Sequence, residues 1–202
     1  MTPLSLILAS GSPRRRSLLR TCGIPIAEVI PSNIPEERQQ DESPTQYTIR
    51  LSREKATAQR HRNAYVLAAD TIVCLNELVL EKPQNDIDAL RMLETLSGRW
   101  HTVVTAWAIA HHPQSLSETP AILDHGYTAS EVKFRQLQTA EIQSYVQTGE
   151  GKDKAGSYGI QGLGAALVES IQGDYSNIVG LPMRDVIHAL KKIGIQPTME
   201  TK

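Results

Sequence analysis

Short apolar runs alternate with segments of helical periodicity along this chain, and that alternation restricts it to the α/β class. Residues 4–9 are an apolar run ending in Ser10-Gly11-Ser12-Pro13. A buried strand and a turn fit it, with Ser12 as a helix cap and Pro13 at the first helical position, where the missing N–H costs nothing. That helix runs through Leu18 and Leu19 and stops at Gly23. Residues 27–31 are a second strand candidate, and the polar stretch 32–42 is a loop carrying Glu36, Glu37, Asp41 and Glu42. Ser43-Pro44-Thr45-Gln46 reads as a capping box, followed by Tyr47, Leu51, Lys55 and Ala58 at helical spacing.

Another apolar run, 65–69, ends at Asp70. Residues 72–75 and 78–80 flank Asn76-Glu77 and suggest a hairpin, although the pair is a poor primed-turn sequence. Residues 86–97 read as a helix with Ile87, Leu90 and Leu93 on one face and Gly98 as its stop. Residues 101–110 and 121–134, rich in Val, Thr, Ile and Tyr, are strands joined through a polar loop. Thr139 caps a helix over 140–148, with Gly149 after it, and Gly156, Gly159, Gly162 and Gly164 crowd the next loop. Residues 165–171 are a strand and Gln172-Gly173 a turn. The last helix carries Met183, Val186, Ile187, Leu190 and Ile193 as an apolar stripe after Pro182, closed by Gly194. Strands that alternate with helices and then cluster in mid-chain point to a mixed sheet.

The 202 residues suit one domain, or two lobes sharing one sheet. With 21 Lys+Arg against 22 Asp+Glu the net charge is -1, so a strongly basic nucleic-acid binder is not the default. Aromatics at 4% argue against a stacking platform for single strands. Cys22 and Cys74 form no C-x-x-C, so a reduced, cytoplasmic setting is the simplest reading. The apolar start is too short to span a bilayer and lacks a basic n-region, so no membrane partner is expected.

Four segments carry chemistry. Ser10-Gly11-Ser12-Pro13-Arg14-Arg15-Arg16 places helix N–H groups beside guanidinium forks, which suits an anion, with phosphate the first candidate. The alternative is a solvated basic face; no Walker A loop is present. Asp70, after an apolar strand, sits where open sheets place ligands and would serve a divalent cation or an attacking water; a turn-capping Asp is the other reading. Lys55 and Lys82 offer compact charges for phosphate, or are surface lysines. The glycines of 153–164 allow close backbone approach, and Gln161 there has both a donor and an acceptor for a base edge; a tight loop at a sheet edge explains the same residues. His111-His112 reads as a solvated loop pair, and Cys22, Cys74, Trp100 and Trp107 as packing residues.

Taken in order, these segments resemble the Maf family of nucleoside triphosphate pyrophosphatases. The matching stretches are Ala9-Ser-Gly-Ser-Pro-Arg-Arg15, Leu51-Ser-Arg-Glu-Lys-Ala56, Ala69-Asp-Thr-Ile-Val73, Leu80-Glu-Lys-Pro83, Leu96-Ser-Gly-Arg99 with His101 and Thr105-Ala106, residues 153–164, and Val179-Gly-Leu-Pro182. Gly159-Ile160-Gln161-Gly162 resembles the branch acting on dTTP and UTP rather than on 7-methyl-GTP. The resemblance implies an elongated mixed β-sheet with flanking helices, two lobes and a central cleft, like inosine triphosphatases. It also implies a homodimer, dependence on Mg²⁺ or Mn²⁺, and cleavage of a nucleoside triphosphate to monophosphate and pyrophosphate. By the same resemblance Ser10, Arg14, Arg15, Lys55 and Lys82 handle phosphate, and Asp70 is the proton acceptor or a metal ligand. Glu36, or Glu37 if the loop carries an insertion, serves the metal. Arg14, Thr71 and Gln161 bear on base choice. Trp100 and Gly151 depart from the family pattern, where a smaller polar residue and Pro are usual.

Two rival functions fit the same residues. One is a nucleotide-binding regulator of cell division, with hydrolysis incidental. The other is a nucleotidyltransferase using a similar anion cleft.

Overall fold

The structure, a computed structural model, describes residues 5–198; Leu4, at the head of the expected first strand, lies outside them. In chain order the elements are β1 (Ser5–Leu8), α1 (Pro13–Thr21), β2 (Glu28–Val29), α2 (Pro44–Thr57), β3 (Ala64–Leu75), β4 (Leu78–Leu80), α3 (Asp86–Leu96), β5 (Trp100–His112), β6 (Ala121–Phe134), α4 (Thr139–Gln147), β7 (Val168–Gln172), α5 (Tyr175–Val179) and α6 (Met183–Lys192). The strand order is β2-β1-β3-β5-β6-β7, with β4 paired to β3. β1 runs parallel to β2 and β3, whereas β3–β4 and β6–β7 are antiparallel, so the sheet is mixed as expected. No helix among the described residues is long and apolar enough to cross a membrane.

The chain forms two compact units. Among the described residues, the first comprises 5–70, 105–127 and 180–198. Side chains alternate across a strand, so each face of its sheet has its own core. Leu6 and Leu8 of β1 join Leu67, Ile109, Leu19 of α1 and Val186 and Leu190 of α6. Ile7 and Ala9 face the other way, with Val66, Ala68, Ala108, Ala110 and Ala56 of α2. The small side chains on this second face bring the α2 backbone close to the sheet. The second unit comprises residues 71–104 and 128–179. Its core packs Ala89, Met92, Leu93 and Leu96 of α3 and Ile142, Tyr145 and Val146 of α4 with Val103, Val132 and Phe134.

Several local expectations are corrected. β3 does not end at Asp70 but continues to Leu75, because an apolar run resumes at Ile72. Of the expected face of α3, Leu93 is buried and Leu90 packs against the core, but Ile87 is 78% exposed; Ala89, Met92 and Leu96 complete the buried stripe. Gln138, not Thr139, precedes α4, and its backbone N–H donates to Glu141 Oε2 at 3.0 Å. Ser12 occupies the cap of α1 without a side-chain cap bond. Residues 162–167 form a 3-10 helix, so the strand expected over 165–171 begins only at Val168. The short helix α5 was not anticipated; Asp174 Oδ1 accepts from Ser176 N at 2.7 Å, a cap signal that the sequence does carry. His111 and His112 belong to β5, and His112 is fully buried. Trp100 is 39% exposed and so is not a core residue.

Candidate active site

Two periodicities bring the charged residues of the first unit together. On α2 the buried stripe is Tyr47, Thr48, Leu51, Ser52, Lys55 and Ala56, the i, i+4, i+8 face of the helix. Its start is fixed by the expected capping box, Gln46 N donating to Ser43 Oγ at 3.2 Å and Ser43 N to Gln46 Oε1 at 2.9 Å. On β3 the even positions Val66 and Ala68 face Ala56, so the next even position, Asp70, falls under the same helix. Lys55 Nζ therefore meets Asp70 Oδ1 at 2.6 Å, with the two side chains only 8% and 7% exposed. The same Nζ lies 2.8 Å from Oε1 of the exposed Glu36, which the polar loop brings over the helix. Of the two loop acids considered, Glu36 is the one on Lys55; Glu37 accepts through its backbone carbonyl from Arg50 Nη2 at 2.8 Å.

A buried lysine–carboxylate pair is a weak source of stability, since desolvating two ions offsets their attraction. Removing one partner, by contrast, strands a charge at about 3–5 kcal/mol. The pair therefore adds little to the fold as a whole, yet neither member is removed cheaply.

The turn after β1 supplies a second set of groups. Ser10 is buried, and its Oγ accepts from Arg15 Nη1 at 3.0 Å and Ser12 N at 3.3 Å. Arg15 Nε donates to Gly180 O at 2.8 Å, so the half-buried guanidinium is held in one orientation. Burial pushes Arg15 below its ordinary value; Asp70 and Glu36 oppose that shift and Arg14 adds to it. Arg14, Arg15, Glu36 and Asp70 thus share one electrostatic neighbourhood. Sequence reasoning missed Gly180 as an anchor for Arg15, although the Val179-Gly-Leu-Pro182 stretch was noted.

Asp70 and Glu36 are hard oxygen donors converging on one ammonium. Mg²⁺ commonly takes one or two carboxylates and completes its shell with water and substrate phosphates, so this donor pair fits such a cation. Among the described residues no cluster of three or more His, Cys, Asp or Glu side chains offers a cage made of protein alone.

The remaining predicted residues lie in the second unit. Thr71 is half-buried on β3, while Lys82 and Gln161 are exposed. Lys82 follows β4, and the preceding residue Glu81 accepts from Gly156 N at 3.1 Å, which pins that hairpin end to the glycine-rich loop. Gly156 has φ 66°, and a Cβ there would lie 3.0 Å from Val73. Glu150 and Tyr145, which the sequence did not single out, hold the loop around Gln161. Glu150 accepts from Leu163 N at 2.9 Å, Gly164 N at 2.8 Å and the Tyr145 hydroxyl at 3.0 Å, and that hydroxyl accepts from Gly159 N at 3.2 Å. Burial pushes the Glu150 carboxyl up, but these donors and Lys154 bring it below its ordinary value. Gly151 explains one family departure: a Cβ there would lie 2.1 Å from Ser157 O. His101 is a packing residue, bonded to the Tyr158 hydroxyl at 2.8 Å and edge-on to Phe134; burial pushes it down to about 4.

Comparison with known proteins identifies the family of the whole chain. The family described as Maf, Maf-like protein, matches residues 5–193. A dTTP/UTP pyrophosphatase of Desulfotalea psychrophila is 44% identical over 187 residues, 92% of this chain and 92% of that protein. One from Escherichia coli O157:H7 is 46% identical over 189 residues, 92% and 91% of the respective chains. Among solved structures, a nucleoside-triphosphatase/dITP/XTP pyrophosphatase from Mycobacterium abscessus aligns over 94% of this chain and 97% of its own, at 14% identity and a TM-score of 0.41. With the family match running from the first described strand to the end of the last helix, and close relatives sharing over two-fifths of their residues, this chain belongs to the Maf family.

Proposed function

We propose that this chain hydrolyses nucleoside triphosphates at the α-phosphorus, with dTTP and UTP preferred, and so clears unwanted nucleotides from the pool. The observation that carries the proposal is Lys55 held between Asp70 and Glu36 beside Arg15, in a chain whose relatives carry that activity in their names. Water attacks the α-phosphorus, the bond to the α–β bridging oxygen breaks, and pyrophosphate leaves. Asp70 accepts the proton from the attacking water, and its contact with Lys55 fixes the carboxylate's orientation. Arg14, Arg15 and Lys55 offset the negative charge that grows on the leaving group, where fixed cations are most effective. Ser10 and Gly180 serve this step by keeping the Arg15 fork aimed. A divalent cation held by Glu36 and Asp70 would supply further positive charge to the phosphate oxygens.

For base choice the family resemblance supports Gln161, whose side-chain amide matches the N3–H donor and neighbouring carbonyl of uracil or thymine. Cytosine reverses the donor pattern, and an unmatched polar group costs about 1–3 kcal/mol. The chain acts as a homodimer in the cytoplasm. The family resemblance supports the first point, and the two free cysteines support the second.

The test is a panel of dTTP, UTP, CTP and GTP with Mg²⁺ or Mn²⁺ and no acceptor, scored for monophosphate and pyrophosphate. Both products, in equal amounts and fastest from dTTP and UTP, are expected. Release of inorganic phosphate alone, or no turnover at all, would overturn the hydrolytic reading. Equal rates on all four nucleotides would remove Gln161 from base choice.

A further inference from the structure

His112 ends β5 with no exposed surface, and both its ring nitrogens are engaged. The backbone N–H of His61 donates to Nδ1 at 3.3 Å, so Nδ1 is the acceptor and Nε2 carries the proton. Nε2 then donates to Ala56 O at 2.9 Å. Ala56 follows Lys55 in the last turn of α2, where helix carbonyls lack an intrahelical partner. The imidazole thus caps the turn from which Lys55 reaches Asp70 and Glu36. Burial, His61, Arg60 and His111 hold the ring below its ordinary value, outweighing the bond to Ala56 O, which favours the charged form.

We infer that His112 is a positioning residue for hydrolysis: through its bond to Ala56 O it holds the end of α2 so that Lys55 Nζ stays between Asp70 and Glu36. The inference rests on the site reading above, since it assigns no contact between His112 and substrate. Contacts of 2.6 and 2.8 Å leave little slack, and displacing a positioned group by about 1 Å can lower a rate about 100-fold. A side chain that fills the space without donating would let the turn drift.

The experiment compares His112→Leu, His112→Gln and Ser43→Ala, assayed well below their unfolding midpoints. Ser43→Ala loosens the other end of α2 and serves as the control for lost helix stability. His112→Leu is expected to lower kcat about 10–100-fold. His112→Gln, which retains an N–H for Ala56 O, is expected to recover most of that loss, and Ser43→Ala to keep the wild-type kcat. In a Lys55→Met background, His112→Leu is expected to have no further effect, because both act at one point. Wild-type kcat in His112→Leu, or an equal loss with and without Lys55, would overturn the positioning role while leaving the site reading intact. Full activity in Lys55→Met would remove the site reading itself, and the inference with it.

Discussion

Acidification should unload a defined part of the stability of the second unit, because His101 is buried as a neutral ring. It is 2% exposed, bonded to the Tyr158 hydroxyl and packed edge-on against Phe134. Burial lowers it from 6.5 to about 4. In the unfolded chain the ring takes up a proton below about 6.5, whereas in the folded chain it resists until about 4. The unfolded state therefore binds more protons across that window, and stability falls as pH falls through it. The contribution is complete above about pH 6.5, declines by about 1.4 kcal/mol per pH unit below it and levels off near 4, for a total of about 3 kcal/mol. His101→Gln does not titrate and keeps a polar partner for Tyr158. Urea unfolding of both proteins from pH 8 to pH 4 should give a stability difference that is flat above neutrality and shifts against the wild type by about 3 kcal/mol below it. A difference that stays constant from pH 7 to pH 4 would refute the reasoning, since every other titrating group is common to the two chains.

Asp70→Asn should lower kcat by about 10²–10⁴-fold, the usual loss on removing a general base, while circular dichroism shows an unchanged fold; turnover at the wild-type rate would take Asp70 out of the mechanism. Gly164→Ala places a Cβ 2.2 Å from Gly159 O, a clash with backbone that cannot swing aside. Its urea midpoint should fall by the equivalent of about 1–3 kcal/mol, and an unchanged midpoint would show that the loop has room to move.

Elements with strong punctuation were legible in the sequence. The Ser43 capping box, Pro13, Gly23 and the stripe of α6 each have a local physical cause, and each falls where expected. Asn76 takes a positive φ of 55°, so even the unpromising Asn76-Glu77 pair closes its hairpin. Failures came where tertiary contacts decide. Ile87 had the right spacing for a core position, but the cluster around Leu93 and Phe134 is filled by Ala89 and Met92, which leaves Ile87 to solvent. His112 looked like a loop residue because Pro113 follows it; its burial depends on Ala56 and His61, both about fifty residues away in sequence. Glu150 and Tyr145 gave no motif at all, since their role is to satisfy backbone N–H groups in a loop whose path the sequence does not reveal.

The pairing of Lys55 with Asp70 shows how a site can be implicit in patterns that each look structural. The helix pattern alone makes Lys55 an odd member of an apolar stripe, and the strand pattern alone makes Asp70 an odd interruption of an apolar run. A one-residue slip of β3 would turn Asp70 to the face of Leu67 and Ala69, against α1 and α6, and leave Lys55 buried without that carboxylate. Register is held against such a slip by the cores on both faces: Val66 and Ala68 fit beneath Ala56, and Leu67 fits among Leu6, Leu19 and Ile109. The apolar residues thus fix where the charges meet, and the charges themselves contribute little to holding the fold. It follows that the alanines between α2 and the sheet decide the proposed site as much as the lysine does: larger side chains there would lift the helix and lengthen a contact that now measures 2.6 Å.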